Sequence, residues 1–324
     1  MILFYFNTQL MLSESMQAML NSLSVALLVL PYFLFSPIAG DLCDKYSKSE
    51  LVYYVKIFEI LIVSFGSFGL YYQDTSCMLA TIFLLGTHTT FLSPLKLSLL
   101  PEYLESDELI AGNAYIEMGT FAAILVGEIY ANILLVPSWG PTLVVASLLG
   151  FSSLGLVASL YLQPTLPKNA DLKINYNFIY GIFSVVKSIR YSRTIYLCIL
   201  GISWFWLVSG IVMAEIPILV KNTMHAPPSV LTLSLAIFGI GIATGSMLCN
   251  WLLKSRIEAT YVPIAAFGVS CALYDLASVL HTFEPPTHSV DLFTFVCSLT
   301  NWRIIGDFFL IGCFGGLYHV PLYT

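Results

Sequence analysis

Charged residues are scarce in this sequence. Only 10% of its 324 residues are Asp, Glu, Lys or Arg, and 58% are hydrophobic, whereas charged residues make up about 25% of an ordinary soluble domain. This composition excludes a water-soluble enzyme. The apolar runs are about 20 residues long, the length that a helix needs to cross a bilayer, and they lack the ten-residue alternation of an outer-membrane barrel. The sequence therefore predicts an all-α, polytopic membrane protein.

Signatures of catalysis and of cofactor binding are also missing. The seven cysteines form no Cys-x-x-Cys pair and most lie inside apolar runs, so we interpret them as small packing residues. There is no glycine-rich nucleotide loop, and no basic segment with a cleavage site opens the chain. His281 and His288 flank Pro285-Pro286, but two histidines in a loop are a weak metal signal. We expect no enzymatic activity, cofactor, metal or nucleic-acid partner.

The stretch at residues 31–49, PYFLFSPIAGDLCDKYSKS, joins two apolar helices through a charged turn. Gly40 ends the first apolar run, and Asp44, Lys45 and Lys48 follow it. A carboxylate at such a turn either caps the next helix or pairs with a basic residue. An ordinary charged loop is the alternative interpretation.

Nine apolar segments of spanning length follow one another along the chain. Residues 1–12 are apolar but too short to span, and a break is predicted at residues 13–15. A polar segment at residues 163–193 separates the fifth span from the sixth. The predicted spans lie at residues 17–40, 51–72, 77–100, 112–136, 139–162, 194–220, 228–253, 260–280 and 303–324.

Lysine and arginine residues predict the orientation. If the loop at 41–50 faces the cytoplasm, the connections on that side contain nine basic residues and the outer side contains Lys221 and Arg303. This is the expected positive-inside bias. The acidic loop at 100–111 is an exception, although acidic residues count little in the rule. The nine cytoplasmic residues are Lys45, Lys48, Lys168, Lys173, Lys187, Arg190, Arg193, Lys254 and Arg256.

The polar segment predicts a division of the chain. We expect an N-terminal helix bundle at residues 1–162, a cytoplasmic linker at 163–193 and a C-terminal bundle at 194–324. Within the linker, Tyr176–Ser188 has the pattern of an amphipathic helix on the inner leaflet. A plain solvated linker is the alternative.

An internal repeat supports two halves. Leu42-Cys43-Asp44 is echoed by Leu248-Cys249-Asn250 at an offset of 206 residues, and Lys48 is echoed by Lys254. Ser93-Pro94-Leu95 is likewise echoed by Val320-Pro321-Leu322, at an offset of 227. Repeats of this kind are common in transporters.

Gly40-x-x-x-Asp44-Lys45 between two helices resembles the loop between helices 2 and 3 of major facilitator transporters. The usual form is Gly-x-x-x-Asp-Arg-x-Gly-Arg, so Lys45 and Lys48 stand at the basic positions and Ser47 replaces the second glycine. The resemblance implies a major facilitator fold of two six-helix pseudo-repeats. It also implies that Gly40, Asp44, Lys45 and Lys48 form a latch that closes the cytoplasmic side.

Placed on that fold, the repeat predicts which helices this chain contains. The expectation is a partial helix 1, nine full spans and no counterpart of helices 11 and 12. Because the latch surface of the family includes helix 11, a non-transporting remnant is an alternative to an active transporter.

Three stretches resemble bacterial lysophospholipid transporters within this superfamily. The most specific runs through Pro94-Leu95-Lys96, Gly112-Asn113-Ala114 and Glu117-Met118-Gly119-Thr120. The resemblance implies transport of lysophosphatidylethanolamine-type lipids across the bacterial inner membrane by alternating access. It also implies a functional link to an acyltransferase/acyl-carrier-protein synthetase that reacylates them. Another small-molecule or drug carrier on the same fold is the alternative.

Charged and polar residues inside the spans are candidates for a substrate cavity, because a charge in the bilayer is costly and rare. Lys96 would attract a lipid phosphate, or else reach the interface as a snorkelling side chain. Glu117 and Glu128 would meet an ammonium group or a coupling cation, although a protonated or paired helix carboxyl is the alternative for Glu128. Glu59 would either meet such a group or pair with Lys56. The full candidate set is Lys96, Asn113, Glu117, Glu128, Glu59 and Asp275.

Overall fold

The structure is a computed structural model, and it describes residues 14–134, 140–189, 192–253, 258–283 and 291–323. The helices in this part are α1 (Glu14–Lys45), α2 (Lys48–Tyr71), α3 (Thr75–Tyr103), α4 (Leu109–Leu134), α5 (Gly140–Ser159), α6 (Phe178–Ile189), α7 (Arg193–Ile218), α8 (Pro228–Leu253), α9 (Val262–His281), α10 (Leu292–Cys297) and α11 (Leu299–Tyr323). Within the described residues, eight helices are long and apolar enough to cross a membrane, and Leu109–Ile124 in α4 is a shorter apolar helix. The predicted all-α membrane fold is confirmed.

The first helix is longer than predicted. The charged turn was expected at residues 41–50, but α1 continues through Asp44 to Lys45, and only Tyr46 and Ser47 separate it from α2. No residue after Pro37 forbids helical geometry, so the helix runs to the end of the charged segment. At the other end α1 already includes Glu14, where a break was expected. Residues 1–12 lie outside the described part of the chain.

A first packing unit contains α1, α2, α3, α5 and α6. Its tightest helix pairs are α1 with α3, α2 with α3, and α2 with α5. Gly86 of α3 lies directly against the backbone carbonyl of Leu28 in α1, and a Cβ atom added there would stand 3.1 Å from Pro31 Cγ. The two helices therefore approach closely at this glycine.

A second unit contains α7 to α11 together with residues 104–129. Its closest helix pair is α8 with α11. Gly241 and Gly245 of α8 face backbone atoms of α11, and Gly312 and Gly316 of α11 face backbone atoms of α8. Both pairs have the Gly-x-x-x-Gly spacing that brings membrane helices into backbone contact.

Most of helix α4 packs with the second unit. Its residues up to Ile129 group with the second unit, although residues 1–162 were expected to form one bundle. The reason is side-chain packing: Phe121 belongs to an apolar cluster with α7, α8, α9 and α11, and Ile110 and Ala114 belong to another with α7, α8, α9 and α11. The boundaries 1–162, 163–193 and 194–324 stay a prediction.

The two units repeat one pairing pattern. In the first, α3 packs against both α1 and α2; in the second, α11 packs against both α8 and α9. These helices correspond in the predicted repeat, in which α1 matches α8 and α3 matches α11. Lys254, the repeat partner of Lys48, lies outside the described residues.

Two short helices complete the structure. Helix α6 overlaps the predicted amphipathic stretch and ends one residue beyond it, and its Gly181 packs against Pro37 of α1. Phe178, Ile179 and Phe183 of α6 are exposed, as a helix on a membrane surface requires, and its place on the inner leaflet stays a prediction. Helix α10 lies in the loop between α9 and α11 and was not predicted.

Candidate functional site

The predicted latch residue Asp44 contacts the linker of its own unit. Its carboxylate lies 3.7 Å from the ammonium of Lys168, and its backbone carbonyl accepts a hydrogen bond of 2.8 Å from Asn169. The Lys168 and Asp44 side chains are 74% and 49% exposed, and an ion pair this exposed contributes about 0–1 kcal/mol. The linker thus lies across the end of α1 and is held there weakly by charge.

Lys48 is the buried member of the same motif. Only 4% of the residue is exposed, and its ammonium donates to the carboxylate of Glu102 at the end of α3. Next to Glu102, the Tyr103 hydroxyl donates a 2.7 Å hydrogen bond to the carbonyl of Gln163. The acidic loop that disagreed with the positive-inside rule therefore supplies the counter-charge of a motif lysine.

Thr165 of the linker caps helix α2 from a distance in sequence. Ser47 stands at the N-cap position, but its side chain makes no capping hydrogen bond. Instead the Thr165 hydroxyl oxygen accepts hydrogen bonds from the backbone N–H groups of Lys48 (2.9 Å) and Ser49 (3.4 Å), and Thr165 N–H donates to the Ser49 hydroxyl (3.2 Å). Unpaired N–H groups at a helix start need such an acceptor.

A groove of about 660 Å³ opens beside this junction in the first unit. Its walls come from α1 and α3, and Ile182 of α6 closes one side. Apolar and hydroxyl side chains form most of the wall, and the carboxylates lie at the end of α1. We call it the α1–α3 groove, and it is lined by Tyr32, Phe33, Ser36, Pro37, Gly40, Asp41, Asp44, Thr90, Ser93, Pro94 and Ile182.

Glu59 belongs to a buried polar cluster in the middle of the first unit. Its carboxylate pairs with Lys56 at 2.7 Å, as the spacing on α2 predicted. His88 Nε2 of α3 lies 3.3 Å from the same carboxylate, and the Ser152 hydroxyl of α5 donates to it at 3.2 Å. Three helices therefore meet at one carboxylate, which indicates a structural role for Glu59.

Asp275 pairs across two helices of the second unit. The Arg303 guanidinium of α11 donates to both of its carboxylate oxygens, with Nε 2.9 Å from Oδ2. Bidentate pairs of this kind are among the stronger and more directional hydrogen-bonded contacts. Asp307, one helical turn after Arg303, is buried.

The other candidates are less defined by the structure. Asn113 of α4 is buried, Glu117 of the same helix is half-buried, and Lys96 of α3 is half-buried. The Glu128 side chain lies outside the described part of the chain. Lys96, Glu59 and the motif residues belong to the first unit, whereas Asn113, Glu117 and Asp275 belong to the second.

An aromatic group in the second unit joins α7 to α11. Trp204 and Trp206 of α7 are exposed, and the Trp206 indole N–H donates to the Tyr323 hydroxyl at 3.1 Å. His319 of α11 is fully buried, with its ring 4.5 Å from that of Phe205.

Several of these partners have no local sequence signal. Glu102, Thr165, His88 and Arg303 each meet a motif or candidate residue only through tertiary packing. The contact between α8 and α11 does have a sequence signal, because each helix carries a Gly-x-x-x-Gly spacing that predicts close helix packing. Among the described residues, no group of three or more His, Cys, Asp or Glu side chains could hold a metal ion.

Comparison with known proteins places the chain among transporters. The sequence model of the MFS_3 family, described as a transmembrane secretion effector, matches residues 5–305. The chain belongs to this major facilitator family. It is accordingly a multi-pass transporter of the bacterial inner membrane, as the sequence predicted.

Lysophospholipid transporters are among its similar relatives. The lysophospholipid transporter LplT of Photorhabdus laumondii subsp. laumondii is 22% identical over 303 residues, which cover 91% of this chain and 67% of that protein. The transporter of the same name from Citrobacter koseri is 24% identical over 302 residues, covering 90% and 67%. The predicted resemblance is confirmed at this level of identity.

A solved structure supports the fold independently. A bacterial homologue of the iron transporter ferroportin, crystallised in an outward-facing state, matches 94% of this chain and 74% of its own length. The TM-score is 0.63 at 14% sequence identity. This likeness shows the major facilitator architecture.

Proposed function

We propose that this chain moves lysophospholipids of the lysophosphatidylethanolamine class across the inner membrane, where they are reacylated. The observation that carries the proposal is the match to lysophospholipid transporters over about 90% of the chain. The match runs through both packing units. It is therefore not confined to one shared helix or loop.

The α1–α3 groove supports an amphiphilic cargo. A lysophospholipid has one acyl tail and a charged head, and its head is the part that resists crossing the hydrocarbon core. The groove offers carboxylates at one end, and apolar and hydroxyl side chains along the rest of its wall. A site with a few polar groups on an apolar lining is typical of a pocket that orients such a molecule.

In the mechanism that we propose, transport follows alternating access, in which the substrate is exposed first to one side of the membrane and then to the other. The polar candidates shield the head while the tail stays in lipid. Lys96 is the proposed partner of the phosphate, and Glu117 with Asn113 of the ammonium. Reacylation by an acyltransferase/acyl-carrier-protein synthetase would consume the delivered lipid and keep the gradient inward.

The test is uptake of labelled lysophosphatidylethanolamine by vesicles that contain the purified chain. We expect inward movement of the lysolipid and none of a two-tailed phosphatidylethanolamine. Lys96→Ala and Glu117→Ala should each slow uptake by about ten-fold, because each removes a charge-assisted contact.

Competition separates this proposal from the alternative of a drug carrier. Unlabelled lysolipid should reduce uptake of the label, and amphipathic drugs should not. Movement of drugs without any movement of lysolipid would refute the proposal. If the Lys96→Ala and Glu117→Ala variants take up lysolipid at the rate of the parent chain, neither residue belongs to the site.

A further inference from the structure

One carboxylate at the charged end of the α1–α3 groove already pairs with an ammonium group of the chain. The ammonium of Lys168 lies 3.7 Å from Asp44, one of the two carboxylates that line this end. Asp41 is the other, and at a spacing of three residues the two lie on the same face of α1. A carboxylate of the groove lining thus already pairs with a primary ammonium, although Lys168 itself is not part of that lining.

The ion pair at this point is easily exchanged. Lys168 is attached through a linker, its side chain is 74% exposed, and the 3.7 Å separation is longer than a direct hydrogen bond. The Asp41 carboxylate accepts a long hydrogen bond of 3.4 Å from the backbone N–H of Asn175. Because this ion pair is weak, a cation that reaches the groove can displace Lys168 from Asp44.

The walls above the carboxylates suit the rest of such a ligand. Ser36, Thr90 and Ser93 bring hydroxyl groups, and Tyr32, Phe33 and Pro94 bring apolar surface. A Cβ atom added at Gly40 would meet nothing within 4 Å, so the groove is open beside the carboxylates.

We propose that Asp41 and Asp44 form a binding site for the primary ammonium of an ethanolamine headgroup, and that Lys168 occupies this site when cargo is absent. The site lies at the end of α1 that is predicted to face the cytoplasm, so it would receive the headgroup on the delivery side. The inference rests on the proposed function and specifies how that function distinguishes headgroups. A lysolipid with an ethanolamine head gains the carboxylate contact, whereas a lysolipid with a glycerol head and the same acyl tail does not.

The experiment compares two lysolipids and three variants of the whole chain. Uptake of lysophosphatidylethanolamine and of lysophosphatidylglycerol is measured in vesicles, and binding of glycerophosphoethanolamine is measured on the purified protein. Asp41→Asn should lower ethanolamine-lipid uptake and headgroup binding by about ten-fold and leave glycerol-lipid uptake unchanged. Asp171→Asn is the matched control, since Asp171 is an exposed linker carboxylate outside the groove lining.

Lys168→Gln gives the opposite prediction. Removing the resident cation should raise headgroup binding by up to about five-fold, which corresponds to the upper range for an exposed ion pair. If the Lys168–Asp44 pair is only structural, Lys168→Gln would lower headgroup binding instead of raising it. An equal effect of Asp41→Asn on the two lipids, or no effect on either, would overturn the site.

The two measurements also separate the inference from the proposed function. If the parent chain carries neither lipid yet binds glycerophosphoethanolamine in an Asp41-dependent way, the site stands and the transport proposal fails. If the parent carries both lipids and Asp41→Asn changes neither, the transport proposal stands and the site fails.

Discussion

At the scale of single residues, the structure divides the predicted motif by role. Lys48 is buried and paired with Glu102, so it fastens the α1–α2 connection to α3. Asp44 is half exposed and weakly paired, so it remains available for exchange. Gly40 stands in a helix with open space beside it, and its backbone geometry does not require glycine. Within one sequence motif, Lys48 therefore anchors the connection, Asp44 forms an exchangeable ion pair, and Gly40 leaves space beside the helix.

Glu59 gives a prediction at this scale. Its side chain and that of Lys56 are 20% and 21% exposed, so removing one partner costs less than the roughly 3–5 kcal/mol that breaking a fully buried ion pair costs. Glu59→Gln should therefore lower the thermal midpoint of the purified protein. The double variant Lys56→Met/Glu59→Gln should recover most of that loss, because no ammonium is then left unpaired. A single variant as stable as the parent would contradict a structural role.

At the scale of helices, the linker stabilises α2 through Thr165. Thr165→Val keeps the shape and removes the oxygen that accepts the Lys48 and Ser49 N–H groups. Loss of an N-cap acceptor costs about 1 kcal/mol. We expect a lower thermal midpoint for Thr165→Val and a parent-like midpoint for Thr165→Ser, which keeps the hydroxyl. Equal midpoints for both variants would show that the linker does not cap α2.

The contact between α8 and α11 gives a second prediction for this scale. A Cβ atom at Gly245 would overlap the carbonyl oxygen of Cys313, and overpacking of this kind costs about 1–3 kcal/mol. Gly245→Ala should reduce the yield of folded protein in detergent. Gly306→Ala is the control on α11, because a Cβ atom there meets nothing within 4 Å. Equal behaviour of the two variants in size-exclusion chromatography would contradict the close contact.

At the scale of the whole molecule, the basic residues predict which side of the membrane the linker faces. A reporter enzyme that is active only in the cytoplasm, inserted after the exposed residue Asp171, should be active in cells. The same reporter inserted after Gln73, in the connection between α2 and α3, should be inactive. The reverse result would invert the orientation and would place the α1–α3 groove mouth outside.

Much of this architecture could be predicted from local patterns. Long apolar runs predicted the spans, since a helix is the structure that satisfies every backbone group within lipid, and the motif with its repeat predicted the superfamily. The predicted end of α1 was wrong because the charged residues were interpreted as a loop, although nothing in residues 41–45 prevents a helix. The packing partners of α4 had no signal in the sequence, because apolar residues around a membrane helix do not reveal which neighbour they contact.

The sequence by itself determined the membrane class, the transporter family and which charged residues are candidates for the site, because each follows from composition, run length or a contiguous motif. Only the tertiary structure decided the partners: Glu102 for Lys48, Lys168 for Asp44, Thr165 for the start of α2, and Arg303 for Asp275. The physical reason is separation along the chain. Lys48 and Thr165, for example, are 117 residues apart, and only the packed helices bring such pairs within hydrogen-bond reach.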